Sequence, residues 1–286
     1  MISGKTKVCA IIGNPIEHSL SPAIHNAAFN ACSLDYVFVA FQVKKEELRE
    51  AVQGFKALGV AGFCVTIPHK VAVMAYLDAL DPLAKAIGSV NTVVNNNGIL
   101  TGYNTDAPGF LEPLTTRGIE LESKNVVMLG AGGAARAVAF MLVNEGARLT
   151  VLNRTLSRAE ELAGGIKVSL KKDVNALEMN YENLKRAISQ ADICVNTTSI
   201  GMSPNTNETP VPAELLHPHL TVYDIVYNPA ETRLICEAKK RGAVTLNGAE
   251  MLAWQGALAF EKWTGYKAPI EIMLKELKRA LGYHED

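Results

Sequence analysis

The sequence lacks most of the features that would point away from an ordinary small-molecule enzyme. Its five cysteines, Cys9, Cys32, Cys64, Cys194 and Cys236, are odd in number, widely spaced and never in a Cys-x-x-Cys pair, which argues against a disulfide framework or a zinc site. Charge of one sign is also missing: 28 basic side chains stand against 29 acidic ones, for a net charge of -1, so nothing marks a surface for nucleic acid or an anionic membrane. No apolar run approaches the length that spans a bilayer, and the N-terminal stretch Val8 to Ile12 is too short for the apolar region of a secretory signal. The six histidines show no metal-ligand spacing such as His-Glu-x-x-His, so no metal is expected. There is no internal repeat and no low-complexity tract, and the Lys171-Lys172-Asp173 cluster is read as a solvated loop. What remains is a cytoplasmic protein whose partner is a small molecule. A homodimer is left open, because exposed patches cannot be told from core stripes in a sequence.

What is present is enough apolar material for a core, at 48% hydrophobic and 20% charged over 286 residues, a length that favours two domains. Short β-branched or aromatic runs at Val8 to Gly13, Tyr36 to Val43 and Gly62 to Thr66 alternate with helical patterns such as Glu46 to Leu58. A second alternation starts at Lys124, with a strand at Asn125 to Leu129, a glycine turn, an alanine-rich helix to about Asn144 and a strand at Arg148 to Asn153. The expectation is α/β, with two α/β domains, each around a mostly parallel sheet. The boundary is expected near Asp106 to Gly118, where Pro108, Pro113 and several glycines break the pattern. That gives a catalytic domain over 1–106 and a Rossmann-type domain over 107–248. The tail, Ala249 to Trp263 and Pro269 to Leu281, reads as two helices returning to the first domain.

The strongest signal of chemistry is Gly130-Ala131-Gly132-Gly133-Ala134-Ala135 between a strand and a helix, which fits Gly-x-Gly-x-x-Ala. Gly130 would make the tight turn, Gly132 would let a pyrophosphate approach the backbone, and Ala135 would keep helix and sheet close. Free N–H groups at the helix start would hold the phosphates. An NAD site usually has an acid at the end of the next strand, about 20 residues on. Here Asn153-Arg154-Thr155 occupies that place. Arg154, with Arg158 a turn later, offers guanidinium groups suited to a 2′-phosphate, so NADP is the expected cofactor. The plain alternative is two ordinary surface arginines.

In the first domain, polar residues gather where strands end and helices begin, as ligand sites of parallel sheets require. Ser21 before Pro22 reads as a helix N-cap, and Ser19 beside it makes the pair a natural carboxylate seat. Lys70 is placed in the first turn of a helix begun by Pro68, where the helix dipole disfavours a cation. A solvated lysine is the bland alternative. Asp106 is the candidate partner for this ammonium, although it could equally cap the helix starting near Ala107-Pro108.

These residues fall into a pattern. The chain resembles the shikimate and quinate dehydrogenase family over nearly its whole length, through His18-Ser19-Leu20-Ser21-Pro22 with Ile24-His25-Asn26, Val65 to Lys70, Gly88 to Thr92 and Gly102 to Asp106. The glycine turn, Asn153 to Thr155, Asn196 to Met202, Asp224 to Pro229, Asn247-Gly248 and Gln255-Gly256 continue it in order. The resemblance implies NADPH-dependent reduction of 3-dehydroshikimate to shikimate, in the route to chorismate and the aromatic amino acids. It implies Lys70 and Asp106 as the catalytic pair, and Ser19, Ser21, Thr66, Asn91, Asp106, Tyr227 and Gln255 as substrate-binding residues. NADP is implied on Gly130, Ala131, Gly132, Gly133, Ala134, Asn153, Arg154, Thr155 and Arg158, with the nicotinamide near Ile225 and Gly248. One departure is Cys64, where the family commonly has asparagine. His18 and His69 are assigned to orientation or packing. Rival readings are a quinate dehydrogenase of broader cofactor use, a folate one-carbon dehydrogenase of the same fold, and a nucleotide-sensing regulator without activity.

Overall fold

A computed structural model describes residues 2–282. The chain divides into two compact units, one gathering residues up to Gly109 with those from Ala253 onward, the other Phe110–Leu252.

In the first unit, β1 (Lys7–Gly13), α1 (Ser21–Ala31), β2 (Tyr36–Gln42), α2 (Leu48–Ala57) and β3 (Gly62–Val65) follow the expected rhythm. The face of α2 explains its position, since Leu48, Val52 and Phe55 fall on one side and are buried against the sheet core of Ala10, Ile12, Phe63 and Val65. Then come β4 (Ala79–Leu80), α3 (Pro82–Ile87), β5 (Thr92–Asn96) and β6 (Ile99–Tyr103), in a six-stranded sheet of order β2-β1-β3-β5-β6-β4. This sheet is mostly parallel, as expected, with one exception: β5 runs antiparallel to both β3 and β6. A tight turn at Asn97-Gly98, with Asn97 at φ +52°, joins β5 to β6, and a two-residue connection can only return the chain antiparallel.

The two units divide within the stretch from Asp106 to Gly118, between Gly109 and Phe110. α4 (Asp106–Thr115) runs through it with Pro113 inside. Pro108 sits in the first turn, where the missing N–H costs nothing.

The second unit is a parallel sheet of β7 (Asn125–Leu129), β8 (Arg148–Asn153), β9 (Asn175–Glu178), β10 (Ile193–Asn196), β11 (Thr221–Asp224) and β12 (Val244–Asn247), in the order β12-β11-β10-β7-β8-β9. Counted from β7, that is the doubly wound dinucleotide order with its switch point between β7 and β10. β10 and the last four residues of β7 are buried, as strands covered on both faces must be. The covering helices are α5 (Gly133–Asn144), α6 (Leu156–Leu170), α7 (Tyr181–Ile188) and α8 (Arg233–Lys240). Arg117 after α4 grips Glu250 with two bonds of 2.8 and 2.6 Å, and Phe110 stacks on Tyr223 at 4.8 Å.

The tail forms α9 (Gly248–Thr264) and α10 (Ile270–Ala280), and α10 packs on α1. Trp263 anchors the end of α9 to the first sheet: its indole N–H donates to the Val93 carbonyl at 3.0 Å, and its ring lies against Gly62 and near His25 and Phe38. Among the described residues no helix is long and apolar enough to cross a membrane. Trp263→Ala is expected to cost about 3–5 kcal/mol of stability, from lost burial and an orphaned carbonyl, and urea denaturation followed by circular dichroism checks it.

Candidate active site

Three chain segments deliver the polar cluster of the first unit. β1 and β3 end side by side, with Thr66 N–H on the Ile12 carbonyl at 2.9 Å and Asn14 N–H on the Ile67 carbonyl at 2.9 Å, so the residues after both strands leave from one edge. The β5–β6 hairpin supplies the rest. Its register sets Thr92 opposite Tyr103, which brings Asn91 beside the Asn104-Thr105-Asp106 stretch.

Asn91 is the hub. Its amide nitrogen donates to Asp106 Oδ1 at 2.8 Å and Thr105 Oγ1 at 2.9 Å, with Gln255 Oε1 at 3.3 Å. Its amide oxygen accepts Thr105 N–H at 2.7 Å and the Thr92 hydroxyl at 3.2 Å. Lys70 Nζ then donates to the other Asp106 oxygen at 2.6 Å, and the two side chains are only 14% and 8% exposed. An ammonium and a carboxylate far apart in the chain therefore meet in a nearly dry place, each oxygen of Asp106 holding a different partner.

Two local expectations need correction. Pro68 starts no helix: the Ile67–Pro68 peptide bond is cis, His69 N–H closes a turn on the Thr66 carbonyl at 2.9 Å, and the short 3-10 helix begins only at Ala72. Lys70 therefore does not lie in the first turn of a helix. Ser21 is not the N-cap of α1 either; Leu20 is, without a side-chain cap bond, and Ser21 is the first helical residue. Pro22 thus falls one place further in than expected. Asp106 is freed from the capping role by Asn104, whose Oδ1 accepts Ala107 N–H at 3.1 Å.

The remaining first-unit candidates sit as follows. Ser19 Oγ accepts Ser21 N–H at 3.3 Å, which leaves its own O–H to donate elsewhere. Ser21 is buried and Thr66 half-buried. His69 is buried with its ring on the Val43 carbonyl at 2.7 Å, a packing position, whereas His18 is exposed. Cys64 is buried, and burial together with the nearby Asp106 charge pushes its thiol up to about 12, so it stays neutral beside the pair.

In the second unit, Gly130 turns the chain at φ +103°, and a side chain there would lie 2.9 Å from Thr197 and Thr198. Gly132 precedes α5 without a side-chain cap bond, and the space above Gly132 and Gly133 is open. The first N–H groups of α5 are thus available to an anion. At the end of β8, Asn153 donates to the Thr155 carbonyl at 2.8 Å, and the strand itself ends without an acidic residue, with Glu178 of β9 in register opposite Asn153. Arg154 and Arg158 are exposed, and among the described residues neither is in an ion pair, as a 2′-phosphate site would want. A side chain on Gly248 would collide with the Ile225 carbonyl, so β11 and β12 approach closely there. Tyr227 is half-buried and burial raises its phenol.

Sequence reasoning missed a second hub, Asp224. Buried at the end of β11, it accepts Asn196 Nδ2 at 2.9 Å, Val226 N–H at 3.1 Å and the Thr232 hydroxyl at 2.6 Å. Thr92, Asn104 and Thr105 were missed as well. The signal for them was the Asn97-Gly98 turn, from which the hairpin register can be counted.

Comparison with known proteins gives a consistent picture. The family profiles "Shikimate dehydrogenase substrate binding domain", "Shikimate / quinate 5-dehydrogenase" and "Shikimate 5'-dehydrogenase C-terminal domain" match residues 11–93, 114–210 and 248–278. A shikimate dehydrogenase (NADP(+)) of Dehalococcoides mccartyi is 47% identical over 271 residues, 95% of each chain. A crystal structure of a shikimate dehydrogenase in complex with NADP+ superposes with a TM-score of 0.94 at 45% identity, covering 98% of each chain. The Thermus thermophilus shikimate 5-dehydrogenase in complex with NADP(H) and shikimate gives a TM-score of 0.87 at 39% identity, over 96% of this chain and all (100%) of the other.

The charge state of Asp224 should be visible in stability. Burial, opposed by its three hydrogen bonds, raises the carboxyl from 3.8 to about 6, so the folded state holds the proton that the unfolded state has already lost. This contribution to stability is therefore present below the unfolded value and lost as pH rises from about 4 through 6. Relative to Asp224→Asn, the wild type is expected to lose about 2 kcal/mol between pH 4 and pH 7, read from denaturant unfolding at both pH values.

Proposed function

The chain belongs to the shikimate dehydrogenase family, and from that premise we propose that Lys70 and Asp106 are the catalytic pair of an NADP-dependent oxidoreductase. The reaction is the reversible reduction of 3-dehydroshikimate to shikimate in aromatic amino acid biosynthesis. The observation that carries the assignment of the pair is the 2.6 Å contact between two nearly buried, oppositely charged groups at the edge where β1 and β3 end.

Bound NADPH supplies a hydride to the carbonyl carbon at ring position 3. As that carbonyl oxygen gains charge, Lys70 Nζ donates a proton to it, and solvent restores the proton afterwards. Asp106 orients the ammonium through one oxygen and is itself held by Asn91 through the other, so the donor is fixed before the substrate arrives. Asn91, Thr66, Gln255 and Tyr227 are the groups we assign to ring hydroxyls. Ser19 and Ser21, at the start of α1, take the substrate carboxylate. In the second unit, the open N-terminus of α5 takes the pyrophosphate, Arg154 and Arg158 the 2′-phosphate, and Ile225 and Gly248 border the nicotinamide. Five free thiols fit a reducing compartment, and we take the enzyme to act in the cytoplasm.

Lys70→Ala is expected to lower kcat by about 10²–10⁴-fold with KM for shikimate little changed, whereas Ser21→Ala should mainly raise KM; NADPH absorbance in steady state reads both. An unchanged kcat in Lys70→Ala removes the lysine from catalysis. Arg154→Ala is expected to raise KM for NADP by about tenfold or more and leave NAD use unaltered. Turnover with shikimate and quinate, each paired with NADP and NAD, separates this reading from a broader quinate dehydrogenase.

A further inference from the structure

Asp224 has an environment that its hydrogen bonds do not explain. It is fully buried at the C-terminal end of β11, in line with Asn196 on β10 and Asn247 on β12. All three of its donors, Asn196 Nδ2, Val226 N–H and Thr232 O–H, are neutral. Among the described residues no cation pairs with it, and burial pushes the carboxyl up to about 6, so it is ionised at neutral pH but at a cost. An asparagine would satisfy the same partners: its oxygen would face Asn196 and Val226, and its amino group would donate to the Thr232 hydroxyl, which can accept. A buried anion without a countercharge is expensive, and the hydrogen bonds of Asp224 do not by themselves require the charge.

The next residue in the chain, Ile225, borders the nicotinamide in the reading above. The oxidised ring carries a positive charge and the reduced ring does not. We propose that Asp224 is an electrostatic selector of cofactor redox state, stabilising the oxidised, cationic nicotinamide over the neutral reduced one and so favouring hydride departure toward the ketone. This rests on the NADP reading of the second unit. When hydride leaves the reduced ring, positive charge develops there, and the Asp224 carboxylate is already in place with its three hydrogen bonds formed, so no reorganisation is needed. Asp224 and Ile225 are neighbours in the chain, and a charge about 8 Å from the ring at an effective permittivity of about 20 would be worth a factor of roughly ten or more in relative affinity.

The test is titration calorimetry of the full chain at pH 8 with NADP+, NADPH and adenosine 2′,5′-bisphosphate, which has the 2′-phosphate end and no nicotinamide. Asp224→Asn is expected to weaken NADP+ about tenfold while NADPH and the bisphosphate stay within about twofold of wild type. Thr232→Val removes one bond to the carboxylate but keeps its charge, and should preserve the wild-type ratio of NADP+ to NADPH affinity. Asp224→Ser, a second neutral variant, serves if Asp224→Asn does not fold, and thermal melts decide that. Equal weakening of both redox forms, no weakening, or a Thr232→Val ratio displaced as far as that of the neutral variants overturns the selector. A wild type that binds no NADP+ and forms no NADPH from shikimate sinks the underlying reading instead. A wild type that does both, with an unmoved ratio in the neutral variants, sinks only the role of Asp224.

Discussion

The ion pair of Lys70 and Asp106 governs how the first unit is built, because a carboxylate this dry needs every lone pair addressed and an ammonium this dry needs a fixed acceptor. Asn91 meets the first need and the turn after β3 the second. The turn is itself tied to the hairpin, since Val90 N–H donates to the Lys70 carbonyl at 2.8 Å and Val65 N–H to the Asn91 carbonyl at 2.8 Å. Backbone bonds thus tie the Lys70 turn to the segment that carries Asn91. The antiparallel β5–β6 hairpin is what makes this possible: two parallel strands separated by a crossover would not bring the start of one beside the end of the other.

The two units handle polar groups in opposite ways. In the first, donors and acceptors are matched to one another, so Asn91, Thr92, Thr105, Asp106 and Gln255 form a connected network that holds its geometry without ligand. In the second, the groups facing the C-terminal edge of the sheet are left wanting: the first N–H groups of α5 have no side-chain cap, and Arg154 and Arg158 have no carboxylate among the described residues. A site that fixes a proton donor profits from rigidity, whereas one that binds a multiply charged cofactor profits from unpaired donors and cations. Asp224 stands apart from both patterns, as a satisfied hydrogen-bond acceptor that is nonetheless an unneutralised charge.

Several errors of sequence reasoning share one cause. Pro68 opens no helix and lies in a turn, whereas Pro108 and Pro113 both lie within α4. A proline restricts its own φ and removes one donor, but whether the chain then turns or coils onward is decided by what the neighbouring backbone can bond to. Ser21 failed as a cap for a related reason, since α1 begins one residue earlier than the serine–proline pattern suggests. The single antiparallel strand of the first sheet, β5, follows from the Asn97-Gly98 turn.

What the sequence determined by itself were the features set by local chemistry: strands and helices from apolar periodicity, the glycine turn after β7, the missing acid after β8, and so the kind of cofactor. These depend on residues within a turn or two of one another. What only the tertiary structure decided is which distant groups share an environment, since Lys70 and Asp106, or Asp224 and Thr232, are brought together by strand register and hydrogen bonding between segments. Burial settles the remainder, because the same carboxyl is an ordinary acid in water and an insistent charge in the core, and no stretch of sequence states how much water its side chain will see.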